Sequence, residues 1–291
     1  MDIRQLEQFK VAAQLQHMTK AAEVLNIAQP ALSRTIHSIE RELGTRLFDH
    51  VGKRIILNEK GEILLRHAEE ILAAMRNAQV EIGECLETDH SSIHLSVKAL
   101  GMMIAGLIRQ FKSEHPQIRF HIVQYDTWIL DSAAADLTLF ATVDPVTSAH
   151  SCTLLRERIL LAVPADSPLA GKEKVSLAQI AHEPIVGLQN GSDLAANIQY
   201  RYKSAGFEPH FVMDHYTSTS IADMVSLGMG YAYVPEITWP GVANEQIRLV
   251  EVEGADFHRY IHVQWPTNGY MSKASRIFRT YLMDYFSGTV S

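Results

Sequence analysis

The feature that most constrains the fold is a pair of short helices joined by a turn of about four residues, close to the amino terminus. The first is expected to begin at Thr19, whose hydroxyl can cap it, and to end near Asn26, which tolerates the left-handed conformation. The second is expected to begin at Pro30, because a helix accepts proline in its first position, and to end at Gly44. Its buried face is marked by apolar residues three and four apart: Leu32, Ile36, Ile39 and Leu43.

A supporting helix precedes this pair, with Leu6, Phe9 and Ala13 on its buried face. The three helices match the helix-turn-helix pattern, in which the last helix enters the major groove of DNA. Arg34 can bind a guanine edge or a phosphate, and Gln29 can pair with adenine. The alternative is that the polar residues form only the solvated face of an amphipathic helix. The candidate DNA contacts in the helices are Thr19, Gln29, Pro30, Ser33, Arg34 and His37.

A short hairpin is expected directly after the second helix of the pair. Leu47-Phe48 leads into a turn at Gly52-Lys53-Arg54, and the apolar residues Ile55-Ile56-Leu57 follow. The hairpin would form a wing with Lys53 and Arg54 at its tip. Cations there neutralise phosphates beside the groove, which sets the register of the protein on DNA without reading sequence. Residues 1–58 are therefore predicted to form a winged helix-turn-helix domain.

Charge is distributed unevenly along the chain of 291 residues, whose formal net charge is −7. Residues 1–60 carry nine Lys or Arg against seven Asp or Glu, a balance of +2, so the remainder carries −9. A surface that binds phosphates is therefore expected in the amino-terminal part. A ligand-independent architectural protein that coats or bends DNA is an alternative, but such proteins usually carry a large positive charge.

The amino-terminal module also carries a family resemblance. The ordered run that carries it is Ala21-Ala22, Leu25, Gln29-Pro30-Ala31-Leu32-Ser33, Ile39-Glu40, Glu42-Leu43-Gly44, Leu47-Phe48, Arg54 and Gly61. This run resembles the signature of the LysR-type transcriptional regulators. In that family the stretch at His37 and Ser38 is frequently basic, and its replacement is expected to lower phosphate affinity or alter base preference. Ser and Thr are common in the family where Ala28 and Asn58 stand, and both residues are expected to leave helix capping intact.

A long linker helix is predicted over residues 59–89, with Asn58 as its cap. Its apolar residues alternate spacings of four and three, which is the heptad pattern of helices that pair with a copy of themselves. The alternative is a single amphipathic helix that folds onto its own domain. In the family that the chain resembles, this helix makes the dimer. The predicted dimer contacts are Leu64, Ala68, Ile71, Met75, Ala78 and Ile82, with Cys85 as a further small apolar residue.

Residues 90–291 alternate strand and helix patterns, which is typical of an α/β architecture with largely parallel sheets. Strands are expected near residues 93–97, 118–122, 185–187 and 231–234, and a helix from about Asp193. In open α/β sheets, ligands bind beyond the carboxyl ends of strands, where loops and helix amino termini supply polar groups. This indicates two binding loops, at residues 98–101 and 188–192.

The resemblance extends over this region, through residues 160–163, 166–170 and 225–235. It implies a two-subdomain effector-binding domain of periplasmic-binding-protein type II. Subdomain I would comprise about 90–161 and 263–291, and subdomain II about 162–262, with an effector cleft between them. By this resemblance the cleft is lined by Lys98, Ala99, Leu100, Gly101, Thr127, Gln189, Thr217, Ser218 and Thr219.

Lys98 indicates a class of effector. A cation beside helix amino-terminal N–H groups favours an anionic small molecule such as a carboxylate or a phosphate. The alternatives are a solvated lysine near a strand end and a lysine that is salt-bridged within its own protomer. No cofactor other than the effector is predicted.

No catalytic or metal-binding motif emerges from the sequence. It has no Gly-x-Ser-x-Gly elbow, no Gly-rich phosphate loop, no His-Glu-x-x-His pair and no closely spaced Cys and His. An α/β enzyme fused to a DNA-binding module is therefore the less favoured alternative. The two cysteines are too distant for a disulfide framework, and a redox role of Cys152 stays open. The histidines expected to be surface or satisfied strand residues include His115, His121, His258 and His262.

Location and partners follow from the same features. The chain has no run of about 18 apolar residues, and the charges of Asp2, Arg4 and Glu7 do not fit a signal peptide, so a cytoplasmic protein is expected. The predicted partners are operator DNA, a small-molecule effector, RNA polymerase and further copies of the chain. The residues favour at least a homodimer, and the resemblance implies a homotetramer.

Overall fold

The structure, a computed structural model, describes residues 1–51, 54–85, 92–124, 135–188, 192–215, 219–253, 256–266 and 270–288. Contacts divide the chain into two compact units. The first is Met1–Ser91 with Asp126–Asp136 and Pro266–Ser272, and the second is Ser92–Tyr125, Leu137–Trp265 and Lys273–Ser291. The elements are, in chain order, α1 (Ile3–Leu15), α2 (Met18–Val24), α3 (Gln29–Leu43), β1 (Phe48–Val51), β2 (Arg54–Leu57), α4 (Glu59–Cys85), β3 (Ser92–Val97), α5 (Ile104–Glu114), β4 (Arg119–Gln124), β5 (Leu137–Thr142), β6 (Ser151–Pro164), β7 (Lys174–Ser176), α6 (Leu177–Ile180), β8 (Ile185–Leu188), α7 (Asp193–Ser204), β9 (Phe211–His215), α8 (Thr219–Ser226), β10 (Ala232–Pro235), β11 (Ile247–Glu253), β12 (His258–Gln264) and α9 (Lys273–Ser287).

The core of the first unit is formed by the inner faces of α1, α2 and α3 together with the hairpin β1–β2. The predicted core residues Leu6, Phe9, Ala13, Leu32, Ile36 and Ile39 are all buried. Leu43 is 45% exposed, so its predicted burial is wrong. It is the last residue of α3, and Gly44, at φ +67°, turns the chain away from the core directly after it.

The start of α2 differs from the prediction. The helix begins at Met18, and its N-cap is His17, whose Nδ1 accepts a hydrogen bond from the backbone N–H of Lys20 at 3.4 Å. The prediction that the Thr19 hydroxyl caps the helix is therefore wrong. The left-handed turn at Asn26 is confirmed, with φ +52°.

The start of α3 also lies one residue earlier than predicted. The helix begins at Gln29, so Pro30 occupies its second position, which tolerates proline for the same reason as the first. Ala28 is the N-cap and makes no side-chain hydrogen bond, which corrects the expectation that capping is intact there. The turn therefore relies on backbone bonds, such as the N–H of Ile27 to the carbonyl of Ala22 at 3.0 Å.

The antiparallel hairpin β1–β2 is joined tightly to the start of α4. Asn58 caps the helix, because its Oδ1 accepts from the backbone N–H of Gly61 at 3.0 Å while its Nδ2 donates to the carbonyl of Arg46 at 3.1 Å. A Cβ added at Gly61 would lie 2.3 Å from the carbonyl oxygen of Leu47. Only glycine allows the helix to approach the hairpin this closely.

The second unit contains an eight-stranded sheet in the order β4-β3-β5-β12-β6-β11-β7, with β10 also paired to β6. The long strand β6 changes partners along its length. Its first part, up to Arg158, pairs with β12, and the part from Ile159 onward pairs with β10 and β11. This strand therefore passes from one subdomain into the other.

Near both predicted subdomain boundaries, the strands change partners. Ile159 to Leu161 pair with β10. The strand β12 begins at His258 and pairs with β5 and with the first part of β6. These changes of partner lie at about residues 158–159 and 257–258.

The expectation of largely parallel sheets is also only partly correct. β3 pairs in parallel with β4 and β5, β7 with β11, and β8 with β9. β12 and the strands that flank the second part of β6 are antiparallel, because the chain returns between the subdomains beside the strand by which it crossed.

Candidate DNA-binding and effector-binding sites

The polar face of α3 lines most of an open cavity of about 1000 Å³ in the first unit. The side chains that line this cavity are called the α3 surface here. All five candidates on the helix contribute to it, namely Gln29, Pro30, Ser33, Arg34 and His37. Thr19 is exposed on α2 and is not one of its lining residues. Ser38, which was expected to influence phosphate affinity together with His37, also lines it. Gln5, Thr35 and Arg41 line it without having been predicted, and only the helical spacing of Arg41, four residues after His37, gave a signal.

Two side chains on this surface are anchored to the helix that carries them. Arg34 donates from Nε to the carbonyl of Pro30 at 3.3 Å, and the ring Nδ1 of His37 lies 2.7 Å from the carbonyl oxygen of Ser33. Each bond spans four residues, so it holds the side chain along the helix surface. Both side chains are exposed, and the guanidinium still has its two terminal nitrogens for a ligand.

The predicted wing tip falls mostly outside the described residues. Lys53 lies outside them, and Arg54 is the first residue of β2, with its side chain also outside the description. The hairpin itself is present, with Phe48 opposite Leu57 and Val51 opposite Arg54.

The predicted dimer contacts of α4 divide into two groups. Ala68 is fully buried and Leu64 partly buried, because both pack on the core of their own unit together with Leu72. Ala68 is therefore not available to a second copy, which corrects its place in the predicted stripe. The other four contacts are exposed, and they are Ile71, Met75, Ala78 and Ile82.

In the second unit, the turn between β3 and α5 has an unusual backbone. The N–H groups of Lys98 and Ala99 both donate to the carbonyl of Leu139, at 2.8 and 3.1 Å. Leu100 has φ +68°, a left-handed conformation that a leucine rarely adopts. Such strain occurs more often at binding sites than elsewhere.

The same turn corrects two of the predicted effector contacts. Ala99 and Leu100 are 5% and 1% exposed, so their side chains face the core rather than a cleft. Lys98 is exposed and Gly101 partly exposed. Thr127, Gln189, Thr217 and Ser218 lie outside the described residues, and Thr219 is the first residue of α8.

The amino terminus of α7 connects the two subdomains. The Asp193 carboxylate accepts a hydrogen bond at Oδ2 from the backbone N–H of Ala141, at 2.9 Å. One turn later, Nδ2 of Asn197 donates to the carbonyl of His258 at 3.0 Å. No sequence pattern indicates these bonds, because the partners are far apart in the chain. They make the helix that follows a predicted binding loop part of the contact between subdomains.

A buried ionic group lies where β6 and β12 cross between the subdomains. Arg259 donates from Nε to Oε1 of Glu157 at 2.8 Å, and its Nη2 donates to Oγ1 of Thr238 at 2.6 Å. The other carboxylate oxygen accepts from the backbone N–H groups of Ile237 and Thr238, at 3.0 and 2.9 Å. Glu157 and Arg259 are 2% and 4% exposed. No pattern in the sequence indicates this group either.

His262 is buried between two threonines on neighbouring strands. Its Nε2 lies 2.7 Å from Oγ1 of Thr142, and its Nδ1 lies 3.1 Å from Oγ1 of Thr153. The Thr142 hydroxyl donates to the carbonyl of Asp144, so it accepts from Nε2. Nε2 therefore carries the proton of the neutral ring. Burial lowers the pKa of His262, which favours the neutral ring over the imidazolium. The expectation of a satisfied strand histidine is confirmed, and His121 is exposed.

Two other kinds of site are absent from the described part of the chain. No group of three or more His, Cys, Asp or Glu there could hold a metal ion. Among the same residues, no helix is long and apolar enough to cross a membrane. Cys152 is a free, partly exposed thiol on β6.

Family models match both the part of the chain that carries the α3 surface and the part that carries the candidate effector site. The family model described as "Bacterial regulatory helix-turn-helix protein, lysR family" matches residues 3–62, and the model described as "LysR substrate binding domain" matches residues 93–287. The uncharacterized HTH-type transcriptional regulator YybE of Bacillus subtilis (strain 168) is 32% identical over 99% of this chain and 100% of its own length. The transcriptional dual regulator GltC of the same organism is 27% identical over 99% of this chain and 98% of its own.

Solved structures show the same fold. The OxyR C206 mutant of Corynebacterium glutamicum has a TM-score of 0.59 at 21% identity, covering 99% of this chain and 92% of that one. The effector binding domain of QuiR, in complex with shikimate, has a TM-score of 0.58 at 20% identity, covering 68% of this chain and 98% of its own. The predicted fold class is confirmed. The chain belongs to the LysR family of transcriptional regulators, with a helix-turn-helix DNA-binding domain followed by an effector-binding domain.

Proposed function

We propose that this regulator binds an imperfectly palindromic operator as a homodimer, which assembles further into a homotetramer, and that α3 reads the base edges. The observation that carries the proposal is the α3 surface, where Arg34 and His37 are already held in place by backbone bonds. Donors that are ordered before binding lose little conformational entropy when they meet DNA. The operator lies in the bacterial cytoplasm, where RNA polymerase is a further partner.

Effector control is the second part of the proposal. A small molecule that binds the carboxy-terminal domain would favour one arrangement of the subunits over another, and thereby change the spacing of the two recognition helices. Its binding must differ between the two arrangements for any such effect. The proposal contains no catalytic step, because the matched relatives are transcriptional regulators.

The direct test is selection of DNA duplexes from a randomised pool by the full-length protein, followed by footprinting of the enriched duplex. We expect enrichment of a site with two related half-sites about one helical turn apart. The footprint should change when the responsible metabolite is added. Absence of any enriched sequence, or a footprint that no metabolite in a broad panel alters, would favour an architectural protein instead.

Arg34→Ala is expected to weaken binding to the enriched duplex by about 1–3 kcal/mol and to relax preference at one position of each half-site. The physical reason is loss of a guanidinium that binds two acceptors of a guanine at once. Fluorescence anisotropy against duplexes with single base-pair changes measures both effects. Arg66→Ala, which removes an exposed arginine on α4, is the control and should leave the preference unchanged. An equal loss on every duplex would make Arg34 a phosphate contact.

Lys98 carries the proposal of an anionic effector, because its side chain is exposed beside the strained turn before α5. Lys98→Ala is expected to weaken effector binding by about 1.5–3 kcal/mol, the usual contribution of a hydrogen bond to a charged group. Calorimetry at several salt concentrations, with the metabolite identified by a thermal-shift screen, provides the measurement. Lys112→Ala, on the last turn of α5, is the control. Unchanged affinity and salt dependence for Lys98→Ala would refute the proposal.

A further inference from the structure

The anchoring of His37 fixes which of its ring nitrogens carries a proton. A carbonyl oxygen can only accept a hydrogen bond, so the Nδ1 atom at 2.7 Å from the carbonyl of Ser33 must be the donor. This holds for the neutral ring and for the imidazolium alike. Protonation of the ring therefore changes Nε2 alone, on the side of the ring away from the helix backbone.

The two states of Nε2 recognise opposite partners. In the neutral ring it is an acceptor, which suits the amino group of cytosine or adenine in the major groove. In the imidazolium it is a donor, which suits the acceptor edge of guanine or a phosphate oxygen. The ring needs no rotation to pass from one state to the other, because its anchor to Ser33 is the same in both.

The position of His37 favours the donor state when DNA is bound. It lies on the exposed face of α3, three residues after Arg34, and both side chains line the α3 surface. The other charged residue of that surface is Arg41, and the residue that α1 contributes is the neutral Gln5. Glu40 points elsewhere, since its Oε1 accepts from the backbone N–H of Leu47 at 2.9 Å. Phosphates of a bound duplex would therefore be the nearest anions, and they stabilise an imidazolium.

We propose that His37, in its protonated form, donates from Nε2 to an acceptor atom of operator DNA, so that operator binding strengthens as the pH falls. The inference rests on the proposed function, because it assigns a role within the α3 surface. It makes the regulator responsive to proton concentration at the DNA contact itself, independently of the effector.

The direction of the pH effect follows from linkage. A group whose proton is held more tightly in the complex adds to binding at low pH, and the addition is lost as the pH rises through the pKa that it has in the complex. Imidazoles ordinarily titrate between about pH 5 and 8. A pKa that is one unit higher in the complex than in the free protein corresponds to about a tenfold change in the binding constant for each recognition helix.

The test measures binding of the full-length protein to its enriched duplex by anisotropy, from about pH 6 to about pH 8 at constant ionic strength, the range in which imidazoles titrate. We expect affinity to fall about tenfold or more over this range. His37→Gln keeps a polar group near the place of Nε2 but does not titrate, and it should flatten the profile. His67→Gln, an exposed histidine on α4, is the matched control and should keep the wild-type profile.

The remaining outcomes separate the alternatives. If replacement of one G·C pair of the duplex abolishes the pH dependence, the acceptor is a guanine. If the pH dependence survives every base-pair replacement, the acceptor is a phosphate. A profile shared by wild type and His37→Gln, or affinity that rises with pH, would overturn the inference and leave the proposed function intact. Failure to enrich any duplex would overturn both.

Discussion

Glu157→Ala is expected to lower the free energy of unfolding of the carboxy-terminal domain by about 3–5 kcal/mol. The substitution leaves the guanidinium of Arg259 buried without its counter-ion, and it removes the acceptor of two backbone N–H groups. Breaking one partner of a buried pair costs far more than the pair itself contributes, because the remaining charge has lost its water. The effect should therefore exceed that of most surface substitutions.

Urea unfolding followed by tryptophan fluorescence provides the measurement. Two of the three tryptophans, Trp239 and Trp265, belong to the second unit, so their emission reports on the unit that contains Glu157. The double variant Glu157→Leu/Arg259→Met should recover the part of the loss that comes from the unpaired guanidinium, since it leaves no buried charge, whereas the two backbone N–H groups still lack their acceptor. A double variant no more stable than Glu157→Ala would contradict this account.

Arg158→Met is the matched control, because it removes two exposed ion pairs from the adjacent position of the same strand. Arg158 is bonded to Glu236 at 2.6 Å and to Glu251 at 3.1 Å, but its side chain is 46% exposed. The hydrogen bond from Arg158 lowers the pKa of Glu236, so the pair is formed at neutral pH. Exposed pairs contribute less than about 1 kcal/mol, and the control should lose no more than that.

Ile71→Asp/Met75→Asp is expected to separate the copies that pair through α4 and to weaken binding to a full operator by about a hundredfold or more. Ile71 and Met75 are 44% and 43% exposed at heptad positions of α4, and they would be buried against the α4 helix of a second copy. The two introduced carboxylates would lose their hydration when the helices pair, which disfavours the dimer. Without the dimer, each recognition helix binds its half-site alone, and the advantage of linked binding is lost.

Two measurements and one control test this expectation. Light scattering should give half of the wild-type mass for the double variant, which is 32.6 kDa if the wild type is a dimer and twice that if it is a tetramer. Its affinity for an isolated half-site should equal that of the wild-type chain, which shows that the DNA-binding domain is still folded. Arg66→Asp changes the net charge equally on the opposite side of α4, and it should remain an oligomer. A double variant with the wild-type mass would place the interface away from this stripe.

Local patterns in the sequence predicted local features well. The spacing of Leu32, Ile36 and Ile39 gave both the extent of α3 and its buried face, because a helical period determines which side chains share a side. The same pattern could not reveal that Leu43 lies past the core, since this depends on where Gly44 redirects the chain. Likewise, the heptad spacing of α4 identified an apolar stripe but not which surface covers each part of it. Ala68 is covered by its own domain.

Long-range features were harder to predict. Glu157 and Arg259 are 102 residues apart, and they meet only because β6 and β12 pair in a particular register. The candidate effector turn was located correctly between β3 and α5. The directions of its side chains were not, because the left-handed backbone at Leu100 places two of them in the core. Neither a strand pairing nor a strained torsion leaves a periodic signature in the sequence.

The change of partners along β6 limits how this regulator can be re-engineered. In subdomain I the strand forms the edge beside β12, whereas in subdomain II it lies between β10 and β11. A fragment cut at either crossing would expose an unpaired strand edge, which is a template for aggregation. A biosensor with a new effector specificity should therefore be built by exchanging the whole segment after α4. A chimera joined between the two subdomains would need both crossings to be matched at once.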